Sequence, residues 1–262
     1  MTLTSTYADL GFAVSDGPIL PPDLVAEGVA GMEAVRAGDY DTGTPPPPSP
    51  WNPGDSDDVL CKIELPQQAS TALQRVVSDS NLGAFIAEAT GAEAVQVWWV
   101  QLLMKPSTQT PSATSVGWHQ DYLYWRNNWE SADGLLTAWV ALSDVTPDSG
   151  PMSFVPGSHR WGLVEGGDFF GQDNDSLRDG IEVPEGEAWT EVPGPLPPGG
   201  VSLHHSLTFH GSSLNTSGRP RRSLAVHIRT DQATPLAKTG LTTHLDNPTL
   251  NPVIYGHADR LR

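Results

Sequence analysis

The spacing of apolar residues changes its period near residue 94. Before it, Leu73, Val76, Val77, Leu82, Phe85 and Ile86 recur at helical intervals in PQQASTALQRVVSDSNLGAFIAEATG. That spacing predicts helix over 66–90, broken near Asn81–Gly83. An earlier helix is predicted in PPDLVAEGVAGMEAVRAG, with Pro21 and Pro22 ahead of it and Asp23 as N-cap. The rest of the first forty residues reads as short apolar pieces. After residue 94 the segments AVQVWWVQLLMK (94–105), LLTAWVALSDV (135–145), MSFVPGSH (152–159), GVSLHHSLTFHGS (200–212) and RRSLAVHIRT (221–230) are β-branched or aromatic. Clusters of Pro, Gly, Asp and Ser separate them, which predicts strands. Helices followed by a run of strands describe an α+β chain, mainly β, with a sandwich or barrel core.

Two connections stand out. The prolines of TGTPPPPSPWNPGDSDD (42–58) forbid helix and central strand, so it reads as a Pro-rich surface loop. The forty residues before it are too few for a core of their own, so a single domain over 1–262 is expected. Residues 161–199 are acidic, rich in Gly and Pro, and long for a connection between strands. They read as a lid or binding loop.

Composition acts mainly by exclusion. With 14 basic and 31 acidic residues the chain carries a net charge of −17, a poor match for nucleic acid or anionic membranes. No apolar run approaches the about 20 residues needed to cross a bilayer. The opening MTLTSTYADLGFAV has neither a basic n-region nor an apolar h-region, so a cytoplasmic location is expected. Cys61 is the only cysteine, which excludes an internal disulfide or a multi-cysteine zinc site, and it reads as a buried structural thiol.

The pattern His-x-Asp occurs three times: His119/Asp121, His244/Asp246 and His257/Asp259. In an extended segment residues i and i+2 share a face, so each copy offers an imidazole beside a carboxylate. These are two of the three donors of the facial triad that holds non-haem Fe(II). For the first copy, His210 on a later strand is the candidate third donor. The second copy has only His257 downstream, with no basic residue in the required place, and the third has no downstream histidine. The first copy is therefore favoured. If its strand continues, His210 shares a face with Ser212, and Arg221 opens the next strand after a turn at NTSGRP. A guanidinium there suits the bidentate binding of a carboxylate, as a dicarboxylate co-substrate requires, and alternation sends Arg222 to the other face.

Other residues near these segments read more plainly. His204 and His227 are expected as packed core histidines and Lys105 as an exposed strand end. Of Trp98, Trp99, Trp118, Tyr122, Tyr124, Trp125 and Trp129, most are expected in the core or barrel wall, with a minority free to form a substrate wall or a cage for a cationic group.

The segments QLLMKPS, GWHQDYLYW, LLTAWVALSDVTPDSGPMSFVPGSHRWG and HGSSLNTSGRPRR, in that order, resemble the phytanoyl-CoA dioxygenase family of Fe(II)/2-oxoglutarate oxygenases. So does the opening YADLGFAVSDGPILPPDLV; the likeness is weakest at 40–60, 165–195 and 231–262. The resemblance implies a double-stranded β-helix (a jelly-roll, cupin-like barrel) with N-terminal flanking helices and the metal inside one mouth. It implies His119, Asp121 and His210 as iron ligands and Arg221 for the distal carboxylate of 2-oxoglutarate, helped by Ser212. Gln101 and Trp139 fall where the family lines the co-substrate pocket. Asp121 stands where related halogenases have a small residue, which argues against halogenation.

The implied activity is hydroxylation of an unactivated C–H bond of a small-molecule metabolite. It consumes 2-oxoglutarate and O2 and releases succinate and CO2. Desaturation, cyclisation or epimerisation with the same cofactors is the alternative outcome. A non-catalytic binding protein on the same barrel and a cupin-like isomerase independent of 2-oxoglutarate are the competing classes, and Arg221 opposes the second. The acidic chain points away from a polyanion such as an acyl-CoA and toward a neutral or cationic metabolite.

Overall fold

The computed structural model describes residues 2–108, 114–237 and 240–261. Its N-terminal part is helical: α1 (Leu3–Leu10), α2 (Pro22–Ala37), α3 (Thr71–Val77) and α4 (Ser80–Thr90). The first of these was not foreseen; Thr2 caps it by accepting from the amide of Ser5. In α2 the N-cap is Pro21, and Asp23 lies in the first turn, where a negative charge suits the helix dipole. The break expected near Asn81–Gly83 falls earlier, at Ser78–Asp79, because the Asp79 carboxylate accepts from the amide of Asn81 at 2.9 Å and starts a new helix. Gly83 breaks nothing. It lies inside α4 where the backbone of Ile254 leaves no room for a Cβ.

The strands form two antiparallel sheets. The larger contains β1 (Phe12–Val14), β2 (Cys61–Glu64), β3 (Val95–Lys105), β5 (Leu135–Ala141), β8 (Val201–His205), β10 (Arg221–Thr230) and β11 (Val253–Tyr255). Its order is β1-β8-β5-β10-β3-β11, with β2 also paired to β3. The smaller runs β4 (Val116–His119), β9 (His210–Ser212), β6 (Met152–Phe154), β7 (Val192–Gly194). The expected strand over 200–212 is therefore two, β8 and β9, with the turn between them carrying the chain from one sheet to the other. Likewise only Met152–Phe154 of 152–159 is strand, and a 3-10 turn follows at Ser158–Trp161. Together the sheets make a double-stranded β-helix, mainly β with flanking helices.

Strict alternation gives the larger sheet two different faces. Leu136, Ala138 and Val140 of β5, Leu224, Val226 and Ile228 of β10, and Val201 and Leu203 of β8 pack with Met32, Val35, Leu73 and Val76 of the helices in the main core. The intervening positions, among them Thr137, Trp139, His204, Arg221 and His227, line a chamber closed by residues of the smaller sheet. Between β10 and β3 the pattern slips. His227 pairs with Trp99 but Ile228 pairs with Val97, so Trp98 is the extra residue of a β-bulge. There Trp98 packs edge-on against Trp125 (4.9 Å between centroids) and Trp129 (5.4 Å). Among the described residues no helix is long and apolar enough to cross a membrane.

Candidate metal centre and its chambers

His119 ends β4 and His210 begins β9, and the two residues are paired in the ladder. Cross-strand pairing brings their rings to 4.1 Å between centroids. Asp121 arrives differently from the expected alternation. It has turned into helical backbone (φ −57°, ψ −37°) at the start of α5 (Tyr122–Trp125), so a turn and not an extended strand sets its carboxylate against the imidazoles. Oδ1 of Asp121 stands 3.5 Å from Nε2 of His119 and 3.6 Å from Nε2 of His210. Among the described residues His119, Asp121 and His210 are the only group of three or more His, Cys, Asp or Glu whose donor atoms converge this closely, all within 4.8 Å.

The protons of this group can be assigned from its partners. Nδ1 of His119 lies 2.7 Å from the carbonyl of Gly117, and Nδ1 of His210 lies 2.9 Å from that of Thr208. A carbonyl only accepts, so both Nδ1 atoms carry hydrogen, and it is Nε2 of each ring that faces Asp121. Burial, with His204 and His119 close by, holds the His210 imidazole well below its ordinary pKa, in the neutral form. Burial alone would raise the Asp121 carboxyl. The carboxyl is nevertheless held well below its usual range, and the Thr137 hydroxyl donating to Oδ2 at 2.6 Å favours its charged form. Two imidazoles and one carboxylate on one side of a cavity are the donor set of a facial Fe(II) site, so the residues present fit such a metal.

Behind the triad lies a small inner chamber of about 30 Å3, lined by Gln101, Thr137, Trp139, Arg221 and His227 among others. Arg221 is buried and its guanidinium lies over the Trp139 ring at 4.9 Å. One of its amino groups donates to the carbonyl of Gly150, while Nε, Nη2 and the indole nitrogen of Trp139 have no hydrogen-bond partner. Burial pulls the Arg221 pKa down to about 9. Arg222 points the other way and pairs with Glu33 of α2 at 2.6 Å.

Lys105 is not an exposed strand end. It stands opposite Arg221 in the β3–β10 ladder, fully buried, because its ammonium folds back to donate to Ser212 Oγ (2.6 Å) and to the carbonyls of Ser212 (3.2 Å) and Ser213 (2.5 Å). Burial, with Arg221 adjacent, holds its pKa well below the ordinary lysine value. Ser212 is thus tied to Lys105, and Gln101 donates to Glu64 at 3.3 Å.

Gln101, His119, Asp121, Phe169 and His227 also line an outer chamber of about 400 Å3. Its walls include Trp98, Trp99, Tyr124 and Trp125, whereas Trp118, Tyr122 and Trp129 lie outside it. Pro48 and Pro50 of the Pro-rich loop and Phe169 and Phe170 of the 161–199 segment complete it. That segment is bound down locally. The amide of Gly117 donates to the carbonyl of Phe169, that of Asp168 to Trp118, each at 3.0 Å, and that of Phe169 to the Tyr124 hydroxyl at 2.8 Å. Lys62 places its ammonium 4.3 Å from the Phe169 ring centroid. His204 is the residue sequence reasoning underrated: its Nε2 lies 3.3 Å from Oδ2 of Asp121 and its ring 4.0 Å from that of His210.

A family model described as phytanoyl-CoA dioxygenase matches residues 10–223. The chain is 30% identical over 193 residues to the probable alpha-ketoglutarate-dependent hypophosphite dioxygenase of Stutzerimonas stutzeri, covering 71% of this chain and 63% of that one. It is 27% identical over 195 residues to the L-proline trans-4-hydroxylase of Streptomyces griseoviridis, covering 64% and 66%. The matches therefore span just under two thirds of these relatives' lengths. Among solved structures, a non-heme alpha-ketoglutarate-dependent epimerase from nogalamycin biosynthesis superposes with TM-score 0.66 at 24% identity, covering 88% of this chain and 82% of that one. A carbocyclase from the same biosynthesis does so with TM-score 0.66 at 22% identity, covering 97% and 98%. At such identities the two likenesses speak for the fold.

Proposed function

The chain belongs to the phytanoyl-CoA dioxygenase family, and from that membership we propose that it is an Fe(II)- and 2-oxoglutarate-dependent oxygenase hydroxylating an unactivated C–H bond of a small-molecule metabolite. In this reading residues 1–262 act as one catalytic domain in the cytoplasm. The observation that carries it is the set of unpartnered donors, Nε and Nη2 of Arg221 and Nε1 of Trp139, in the same chamber as the triad. Buried donors without partners are strongly disfavoured unless a ligand meets them, and donors alone call for an anion. Named relatives act on hypophosphite and L-proline, both small molecules.

His119, Asp121 and His210 would hold the iron, which when bound activates dioxygen at the expense of 2-oxoglutarate, with release of succinate and CO2. The remaining work falls to the chain. Arg221 receives the distal carboxylate of the co-substrate in a two-pronged contact, steadied by Trp139 beneath its plane. Lys105 holds the hydroxyl of Ser212, which lies outside the lining of the inner chamber. Gln101 lines both chambers, so it touches co-substrate and substrate alike. Trp98, Trp99, Tyr124 and Trp125 hold the substrate body, and Phe169 covers the His119 ring at 5.2 Å to keep water from it. The 161–199 segment serves as the lid.

The test is the visible spectrum of the anaerobic protein on adding Fe(II) and then 2-oxoglutarate. A charge-transfer band in the wild type, absent in His119→Ala and weakened in Arg221→Ala, supports the reading. Its absence in the wild type refutes it. Mass analysis of substrate products then separates hydroxylation from desaturation, cyclisation or epimerisation.

A further inference from the structure

Building on the assignment of a metal to the triad, we propose that Thr137, His204 and His227 clamp the outer oxygen of Asp121, so that the carboxylate offers a metal one oxygen. The three residues form one row across the larger sheet. Thr137 of β5 is paired directly with His204 of β8 on one side and with His227 of β10 on the other. All three are buried and face the inner chamber.

The two oxygens of Asp121 live in different surroundings. Oδ1 faces Nε2 of His119 and Nε2 of His210, at 3.5 and 3.6 Å. Oδ2 accepts from the Thr137 hydroxyl at 2.6 Å and has Nε2 of His204 at 3.3 Å. Thr137 has one hydroxyl hydrogen. It goes to the carboxylate, so the contact between Thr137 Oγ1 and Nδ1 of His227 at 2.9 Å must be donated by the histidine. The chain of donors runs His227 to Thr137 to Asp121, and it ends on Oδ2.

His204 supplies the second arm. Neither of its nitrogens has an aligned hydrogen-bond partner, although the ring is buried between Phe154 and His210. With its hydrogen on Nε2, His204 turns a donor toward Oδ2 at 3.3 Å and so helps to secure that oxygen. Without these arms Oδ2 would be free to turn toward a bound metal, and the donor set offered to it would change. Partners of this kind, acting through a ligand, typically change metal affinity by about 10–100-fold.

Anaerobic titration with Co(II), read by affinity and by the visible d–d spectrum, tests the clamp without turnover. The set is wild type, H119A, T137V, H204L and H204Q, with the apo melting temperature of each recorded. T137V and H204L are expected to bind Co(II) about ten- to a hundredfold more weakly than wild type, with an altered spectrum. H204Q, whose amide still donates, is expected to stay near wild type. Wild-type affinity and spectrum in both T137V and H204L overturn the clamp, whatever happens to the melting temperature. If H204L fails to fold, the near-isosteric T137V decides alone. A wild type that binds no Co(II) refutes the metal assignment itself, a result distinct from failure of the clamp.

Discussion

Lys105 and Arg221 stand directly opposite each other on β3 and β10, two buried cations that no carboxylate among the described residues pairs with. Both are held below their ordinary pKa by burial, and Lys105 by Arg221 as well. A bound dianion relieves that repulsion, so 2-oxoglutarate should stabilise the fold. At a concentration a hundred times its dissociation constant the gain is about 2.7 kcal/mol, read as a rise of several degrees in unfolding temperature. The rise should be small with pyruvate, which lacks the second carboxylate, and should vanish in Arg221→Met. An equal shift with pyruvate would contradict this placement of the distal carboxylate.

Arg222 tests the specificity of that claim. It pairs with Glu33 at 2.6 Å on the helical face of the sheet, and the carboxylate is 38% exposed. A partly solvated pair is worth under about 1 kcal/mol. Arg222→Ala should therefore lower the urea midpoint slightly and leave 2-oxoglutarate binding untouched, whereas Arg221→Ala should do the reverse. Calorimetric titration of the two variants side by side separates them.

His205 makes stability depend on pH. Burial, and then the nearby His159, push its pKa down to about 4, and its Nδ1 accepts from the amide of Leu207 at 3.1 Å. In the unfolded chain a histidine titrates near about 6.5. Between those two values the unfolded state binds a proton that the fold refuses, so stability is full above the upper value and falls as pH drops toward the lower. Urea midpoints at pH 7.5 and 5.5 should differ less in His205→Gln than in the wild type.

Gly117 has no room for a side chain. A Cβ there would meet the backbone carbonyl of Asp168, in the stretch whose amide and carbonyl bonds bind the 161–199 segment to β4. Gly117→Ala should loosen that stretch while the barrel stays folded. Hydrogen exchange over 165–173 should rise by about tenfold or more, which a loss of about 1.4 kcal/mol of local stability produces. Unchanged protection there would show that the segment is held by other contacts.

The convergence of His119, Asp121 and His210 was legible because two of them are two residues apart and the third lies in a segment with a clear strand pattern. The opposite facing of Arg221 and Arg222 followed from alternation alone. What escaped notice depended on register. Nothing in the local sequence says that Thr137 pairs with both His204 and His227, since each pairing joins strands far apart in the chain. Lys105 before Pro106 reads as a solvated strand end, and only the proximity of Ser212 and Ser213 shows why it is buried. The bulge at Trp98 likewise has no local signature, because the pleat breaks in response to its neighbours. Helix boundaries moved where a side-chain cap decided them, as at Asp79.

The two faces of the larger sheet also govern how this protein can change over generations. Along β5 and β10, neighbouring residues answer to separate masters: Leu136, Ala138, Leu224 and Val226 to the helical layer, Thr137, Trp139, Ala225 and His227 to the chamber. Replacements at the second set alter the interior lining while the main apolar packing stays intact. A saturation scan through these strands would read as a checkerboard at Thr137 and His227, while Trp139 and Ala225, which pack with Phe12, Leu103 and Phe154, would cost folding as well. Such a lattice lets the lining of the chamber vary while the helix-facing scaffold that bears it is held fixed.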